Sequence, residues 1–311
     1  MRDARDQLWL PGADLRQLIS RFVIAPQHRV ESPVRAANPS AHRDVGTEFQ
    51  QYRSFQPGDD LRRVDWRAFG RSDRLLVREA EREGRLTIVF VLDLSGSMSM
   101  EDANGQSRYE YACKLIGALA WLANEQRHDL MLLGLGGGRP LVVPSGFGQT
   151  QLERMLRILS EETPEGPSPT SVEVHNALEQ IPARSALIVL SDFLSTDEQT
   201  TDSLAKLASR SFSMTSVQIL LNQELSLPRV GQVRLVERER GGTQLFDVRS
   251  FRADYEKRLE QMLREMRRMH VGMGARFVRA STDTQLSSTL RAVLHPELPG
   301  SKRLLVSVGD A

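Results

Sequence analysis

An apolar run, "VFVLD" (89–93), ends on Asp93, and Ser95, Ser97 and Ser99 follow at alternate positions in "LSGSMSM". A carboxylate closing such a run, with the Ser95 and Ser97 hydroxyls beside it, forms an oxygen-only half-shell. Two other places can complete it. Thr170, in "GPSPTSVEVHNAL", stands where a loop enters a helical pattern, and Asp192, in "LIVLSDF", ends a second apolar run as Asp93 ends the first. The set Asp93, Ser95, Ser97, Thr170 and Asp192 offers carboxylates and hydroxyls but no imidazole and no thiolate. Such donors suit a hard cation. Mg²⁺ takes about six oxygens near 2.0–2.1 Å and usually keeps waters, whereas zinc prefers nitrogen or sulfur; Mn²⁺ is the other candidate. If one carboxylate binds the ion directly and the other through water, much of its charge stays unneutralised. An open position can then accept a carboxylate from outside. Singly, each residue is an ordinary cap or turn residue; their order and placement on one sheet argue for a common site.

That placement depends on the elements around them. From residue 86 the chain alternates continuously apolar strands with amphipathic helices. "RLTIVFVLD", "DLMLLGLG", "RPLVVPS", "SALIVLSDF", "FSMTSVQILL" and "GARFVRA" read as strands, with "RPLVVPS" close enough to "DLMLLGLG" to pair as a hairpin. "SRYEYACKLIGALAWLANEQ" carries Ala112, Leu115, Ile116, Leu119 and Ala123 at helical spacing. "QTQLERMLRILSEE", "SVEVHNALEQI", "TDSLAKLASR", roughly 250–270 and "DTQLSSTLRAVL" complete the helices, and "QVRLVERERGGTQLFDV" reads as a hairpin turning at Gly241-Gly242. This pattern predicts an α/β fold with a mainly parallel sheet covered by helices on both faces. In such a sheet ligands gather outside the carboxyl ends of the strands, which is where Asp93 and Asp192 fall. "GLGGG" (134–138) superficially suggests a phosphate loop, but it lacks the lysine of a P-loop and leads into a strand.

The composition narrows the class of function. Across 311 residues, 41 basic side chains balance 40 acidic ones, which speaks against nucleic-acid binding. Lysine stands only at 114, 206, 257 and 302, so the cations are nearly all arginine. One cysteine, Cys113, excludes an internal disulfide and a cysteine-rich metal site and fits a reducing compartment. No apolar run approaches the roughly 18 residues of a membrane span, and "MRDARDQLWLPGADL" carries charges where a signal peptide needs an apolar core. The expectation is a cytoplasmic protein without a transmembrane segment.

Ahead of the first strand, residues 25–49 are rich in Pro, Ser and Asn and read as extended loop. Residues 51–83 are dense in charge yet carry Tyr52, Phe55, Leu61, Val64, Trp66 and Phe69, too many large apolar groups for a disordered tail. Pro57-Gly58 favours a tight turn and Asp59 or Asp60 can cap a short helix "LRRVDW". Arg62, Arg63, Arg67 and Arg71 alternate with Asp59, Asp60, Asp65 and Asp73; they form either a packed ion-pair network or a docking surface for an acidic partner.

"DLSGS" (93–97) after an apolar strand, Thr170 opening a later helix and "SD" at 191–192 resemble the metal-ion-dependent adhesion site (MIDAS) of von Willebrand factor A domains. In that family the matching positions, here Asp93, Ser95, Ser97, Thr170 and Asp192, hold Mg²⁺, and a partner's acidic side chain often completes the shell. The stretch "EFQQYRSFQPGDDLRRVDWRAFGRSDRLLVREAE" (48–81) is similar to the signature of a bacterial family named, in words, domain of unknown function fifty-eight, whose members typically accompany MoxR-type AAA+ ATPases. The resemblance spans roughly residues 20–295. It implies a von Willebrand factor A-like, Rossmann-like domain over 86–295 with a hairpin insertion at about 230–249, an N-terminal extension over 1–85 packed on it, and a tail over 296–311. It also implies a non-catalytic, Mg²⁺- or Mn²⁺-dependent protein-binding module, partnered by a MoxR-type ATPase and an acidic protein ligand, acting in protein maturation or complex assembly. The alternative is a Mg²⁺-dependent hydrolase or phosphatase. It lacks a convincing base near Asp93 in sequence, where the second acid common in aspartate phosphotransfer is replaced by Ser95; only His128 and His175 offer an imidazole from elsewhere.

Overall fold

A computed structural model describes residues 9–24, 51–54, 76–79, 85–182, 185–194, 198–225, 232–236 and 243–294. Compact packing divides the chain into two units, Met1–Val30 with Leu86–Ala311, and Glu31–Arg85. Within the second, β1 (Gln51–Ser54) and β2 (Leu76–Glu79) form an antiparallel pair with Gln51 opposite Glu79. The arginine and aspartate positions 59–73 of the signature, and the tail 296–311, lie outside the described residues.

The larger unit begins with α1 (Ala13–Ile19) and continues through β3 (Thr87–Asp93), α2 (Arg108–Glu125), β4 (Asp129–Leu135), β5 (Leu141–Gly146), α3 (Gln149–Glu161), α4 (Ser171–Gln180) and β6 (Ser185–Ser191). Then come α5 (Glu198–Arg210), β7 (Ser213–Leu220), the one-turn α6 (Asn222–Leu225), β8 (Gln232–Val236), β9 (Thr243–Asp247), α7 (Val248–Gly272), β10 (Arg276–Ser281) and α8 (Leu286–Leu294). Six strands form one sheet in the order β10-β7-β6-β3-β4-β5. All neighbours are parallel except β5, which returns antiparallel beside β4. This is the mainly parallel α/β sheet, covered by helices on both faces, that the sequence predicts. β8 and β9 pair antiparallel as a separate hairpin between α6 and α7.

The strands alternate faces as period-2 geometry requires. Ile88, Phe90 and Leu92 of β3 enter one core with Leu115, Ile116 and Leu119 of α2 and Leu156 of α3. Val89 and Val91 enter the other with Val174 and Leu178 of α4 and Leu204 and Leu207 of α5. Because both faces are covered, the strands are apolar at nearly every position. Burying each such Val, Ile, Leu or Phe side chain contributes about 1.5–3 kcal/mol, and Phe90 and Leu92 are fully buried.

Residues 9–24, from the start of the expected N-terminal extension, join this core through residues that the sequence pattern did not single out. Trp9 is buried against α2, where a Cβ on Gly117 would stand 2.0 Å from the Trp9 carbonyl oxygen. A glycine inside a helix costs about 1 kcal/mol relative to alanine, and here it permits that close approach. The segment is fastened further on: the Gln126 amide accepts from Ile24 N–H at 2.9 Å and donates to the Phe22 carbonyl at 2.6 Å.

Candidate metal centre

Asp93 is the last residue of β3, the strand between β4 and β6, so its carboxylate emerges at the carboxyl edge of the parallel sheet. Three loops meet there. Leu94 N–H donates to the Leu135 carbonyl at 2.8 Å, Glu165 N–H to the Leu94 carbonyl at 3.0 Å, and Gly96 N–H to the Gly166 carbonyl at 3.0 Å. The glycine run after β4 permits the closeness: Gly137 has φ +70°, and a Cβ there would stand 2.9 Å from the Glu165 carbonyl oxygen. "GLGGG" is thus a place where backbones meet, in keeping with its lack of a phosphate-loop context.

After Leu94 the chain makes a short 3-10 turn, Gly96–Ser99, and Ser107 caps α2 by accepting from Glu110 N–H at 3.0 Å. The turn brings the Ser95 and Ser97 hydroxyl oxygens to 3.1 Å from each other. That spacing is close to the ~3.0 Å edge of an octahedron with Mg²⁺–oxygen bonds near 2.1 Å. Asp93 accepts Ser95 N–H on Oδ1 at 2.8 Å and the Ser191 hydroxyl on Oδ2 at 2.6 Å. Burial pushes its carboxyl above the ordinary carboxylate range; the Ser191 and Ser95 bonds pull it back, and the negative charge of Asp192 raises it again.

Asp192 follows the end of β6 and is buried. Its Oδ1 accepts Leu194 N–H at 3.0 Å. Its Oδ2 accepts no hydrogen bond and faces Arg108 Nη1 at 3.3 Å. The next residue, Phe193, has a left-handed backbone with φ 55°, held by its N–H donating to Ser191 Oγ at 2.9 Å. Such a conformation at a bulky residue is uncommon and clusters at functional sites.

Thr170 caps α4. Its hydroxyl accepts Glu173 N–H at 3.3 Å and donates to the Glu173 carboxylate at 2.8 Å, while its N–H also donates to that carboxylate at 2.8 Å. The structure therefore joins Asp93, Ser95 and Ser97 through direct bonds, sets Asp192 beside Asp93 electrostatically, and gives Thr170 a capping box on an exposed helix start. Among the described residues no group of three or more His, Cys, Asp or Glu side chains converges as a metal cluster; most donors of the candidate set are hydroxyls. A buried carboxylate pair, two hydroxyls at an octahedral spacing and a carboxylate oxygen that accepts no hydrogen bond fit a hard divalent cation.

Neither histidine considered as a base joins this group. His128 precedes β4, at the strand-start edge of the sheet, where its Nδ1 accepts Leu86 N–H at 3.4 Å. His175 is exposed on α4. Three contributors were not singled out from the sequence. Ser191 was hidden as a strand-end residue beside Asp192, Arg108 as the first residue of a helix, and Glu224 as part of a single turn. The "SD" at 191–192 was the one available signal.

Residues 51–265 match the sequence model of the family described as protein of unknown function DUF58. Over 243 residues the chain is 26% identical to the uncharacterized protein Rv1480 of Mycobacterium tuberculosis (strain ATCC 25618 / H37Rv), covering 76% of this chain and 75% of that one. Among solved structures it is similar to the conserved hypothetical protein BatB from Bacteroides thetaiotaomicron, with a TM-score of 0.43 and 15% identity over 67% of this chain and 95% of that one. It is also similar to the SpRpn10 VWA domain, with a TM-score of 0.40 and 12% identity over 67% and 94%. Among the described residues no helix is long and apolar enough to cross a membrane.

Proposed function

From the premise that this chain belongs to the DUF58 family, we propose that it is a non-catalytic, metal-dependent protein-binding module. A von Willebrand factor A-like fold suggests a protein-interaction module. Asp93, Ser95 and Ser97 would hold Mg²⁺ or Mn²⁺, with Thr170 and Asp192 completing the protein's share of the shell. When bound, the ion supplies an electrophilic position that an external carboxylate can enter. The observation that carries the reading is the Ser95–Ser97 hydroxyl pair, 3.1 Å apart beside the buried Asp93 carboxylate. Burial of Asp93 beside Asp192 disfavours two negative charges side by side, and a cation relieves that cost. Ser191 and Ser95 N–H orient the Asp93 carboxylate; the 94–97 loop, fastened to residues 135 and 165–166, presents the hydroxyls.

The family resemblance points to a MoxR-type AAA+ ATPase as partner, in protein maturation or complex assembly, with an acidic side chain of a protein ligand completing the shell. Affinity capture on the purified protein tests this, in Mg²⁺, in EDTA, and with Asp93→Ala. An ATPase retained by the wild type in Mg²⁺ and lost in the other two arms supports the reading. Retention indifferent to both EDTA and the substitution overturns a metal-bridged contact.

A further inference from the structure

We propose that Arg108 is a positioning residue of the candidate metal centre: a permanent internal cation that holds Asp192, limits how tightly the site takes a divalent ion, and ties the site to α6 through Glu224. This inference rests on the metal-binding reading above and goes beyond it to the regulation of that site.

Arg108 is fully buried although it is the first residue of α2, a position usually washed by solvent. Its partners come from the segments that follow β3, β6 and β7. Nη1 donates to the Ser97 carbonyl at 2.6 Å and lies 3.3 Å from Asp192 Oδ2, and Nη2 donates to the Glu224 carboxylate. Two of these contacts are to candidate ligand residues. The third leads away from the site. Glu224 also accepts Leu221 N–H on Oε2 at 2.9 Å, and its carbonyl accepts the Tyr255 hydroxyl of α7 at 2.8 Å. In chain order the β8–β9 hairpin lies between α6 and α7, so Glu224 links the guanidinium to the two helices that flank it.

A buried ion pair is often only structural. Here the geometry makes a sharper claim. Asp192 Oδ1 accepts Leu194 N–H, and Oδ2, which accepts no hydrogen bond, lies 3.3 Å from Arg108 Nη1; both oxygens keep lone pairs that a cation or its bound water can use. Guanidinium and metal therefore draw on the same carboxylate. Two carboxylates, Asp192 and Glu224, share a single guanidinium, so the positive charge of Arg108 is divided between the site and α6. Removing Arg108 raises the negative potential at the site; removing the Glu224 charge lowers it and commits the guanidinium more fully to Asp192.

Mn²⁺ alone is the probe, counted as free ion by electron paramagnetic resonance during titration of the purified full chain, with thermal melting as a check on folding. Arg108→Gln is expected to tighten Mn²⁺ binding by about tenfold, the effect of one charge a few ångströms away at a high effective dielectric constant, despite a lower melting temperature. Arg108→Lys, which restores the charge, returns the affinity toward wild type. Glu224→Gln, which keeps the arginine, weakens Mn²⁺ binding several-fold. A merely structural Arg108 would loosen the ligand loops, so Arg108→Gln would bind Mn²⁺ no more tightly than wild type; that result overturns the proposal. An unchanged affinity in Glu224→Gln also overturns it, and this arm serves if Arg108→Gln does not fold. A wild-type protein that takes up no Mn²⁺ at the site overturns the underlying metal reading instead.

Discussion

The Ser191 hydroxyl donates to Asp93 Oδ2 at 2.6 Å, joining the ends of two neighbouring strands, β6 and β3, inside the core edge of the candidate site. The same Ser191 oxygen accepts Phe193 N–H at 2.9 Å. Ser191→Ala therefore strands a buried carboxylate oxygen and removes the hydroxyl that accepts Phe193 N–H. Leaving a buried polar group unsatisfied costs about 1–3 kcal/mol, and a loss in that range is expected in urea unfolding with EDTA present. Because Asp93 is then less firmly aimed, Mg²⁺ should restore less of the lost stability than it adds to wild type. A full rescue by Mg²⁺ would show that Ser191 does not orient the ligand.

Thr170 has a measurable role whatever the metal does. Its capping box with Glu173 satisfies helix-start donors of α4, and replacing such a cap by alanine costs about 1 kcal/mol. Thr170→Ala should lose that amount in EDTA, and Thr170→Ser should lose much less. If the hydroxyl also reaches the ion, the stabilisation added by Mg²⁺ is smaller in Thr170→Ala than in wild type. Equal increments in both proteins would confine Thr170 to capping.

The fold and the half-shell were legible for local reasons. β3 is buried along its whole length, so it reads as one apolar run, and the switch to Ser95 and Ser97 marks where the chain leaves the sheet. Asp192 showed itself in the same way at the end of β6. Arg108 did not, because its burial is made by Glu224, 116 residues away, and by Asp192; nothing near it in sequence distinguishes it from a solvated helix-start arginine. α1 and Trp9 escaped for the same reason, since their partner surface on α2 lies about a hundred residues downstream. Thr170 was legible as a cap, and it forms the capping box with Glu173; a capping signal says where a helix starts and nothing about which strand end it faces.

His270, near the end of α7, is fully buried between Phe193 and Phe277, with ring centroids 4.5 Å and 5.1 Å away, and neither ring nitrogen has a hydrogen-bond partner. Burial lowers its pKa from 6.5 to about 4. The folded protein keeps it neutral, while the unfolded chain takes up a proton first as pH falls. Its contribution to stability is therefore complete above pH 6.5 and is lost as pH falls toward about 4, a total of roughly 3 kcal/mol. Urea unfolding at pH 7.5 and at pH about 4.5 should show most of this loss. His270→Leu should flatten it; an equal pH dependence in that variant would assign the effect to other groups.

Gly117 allows a prediction opposite in sign to the usual rule. Alanine in place of an interior helical glycine ordinarily stabilises by about 1 kcal/mol. In α2 the added Cβ would meet the Trp9 carbonyl oxygen at 2.0 Å and its carbonyl carbon at 2.8 Å, contacts that only movement of the backbone can relieve. Gly117→Ala should therefore displace the Trp9 segment and lower stability by about 1–3 kcal/mol, the range for overpacked cores. Trp9 fluorescence offers a second readout, because a side chain that is 6% exposed in the native protein should shift to the red as it meets water. Trp9→Ala alone loses the buried indole, but in that background the carbonyl still opposes the new methyl group, so Gly117→Ala should remain destabilising. A stabilising Gly117→Ala with unshifted Trp9 emission would mean that the N-terminal segment does not rest on α2.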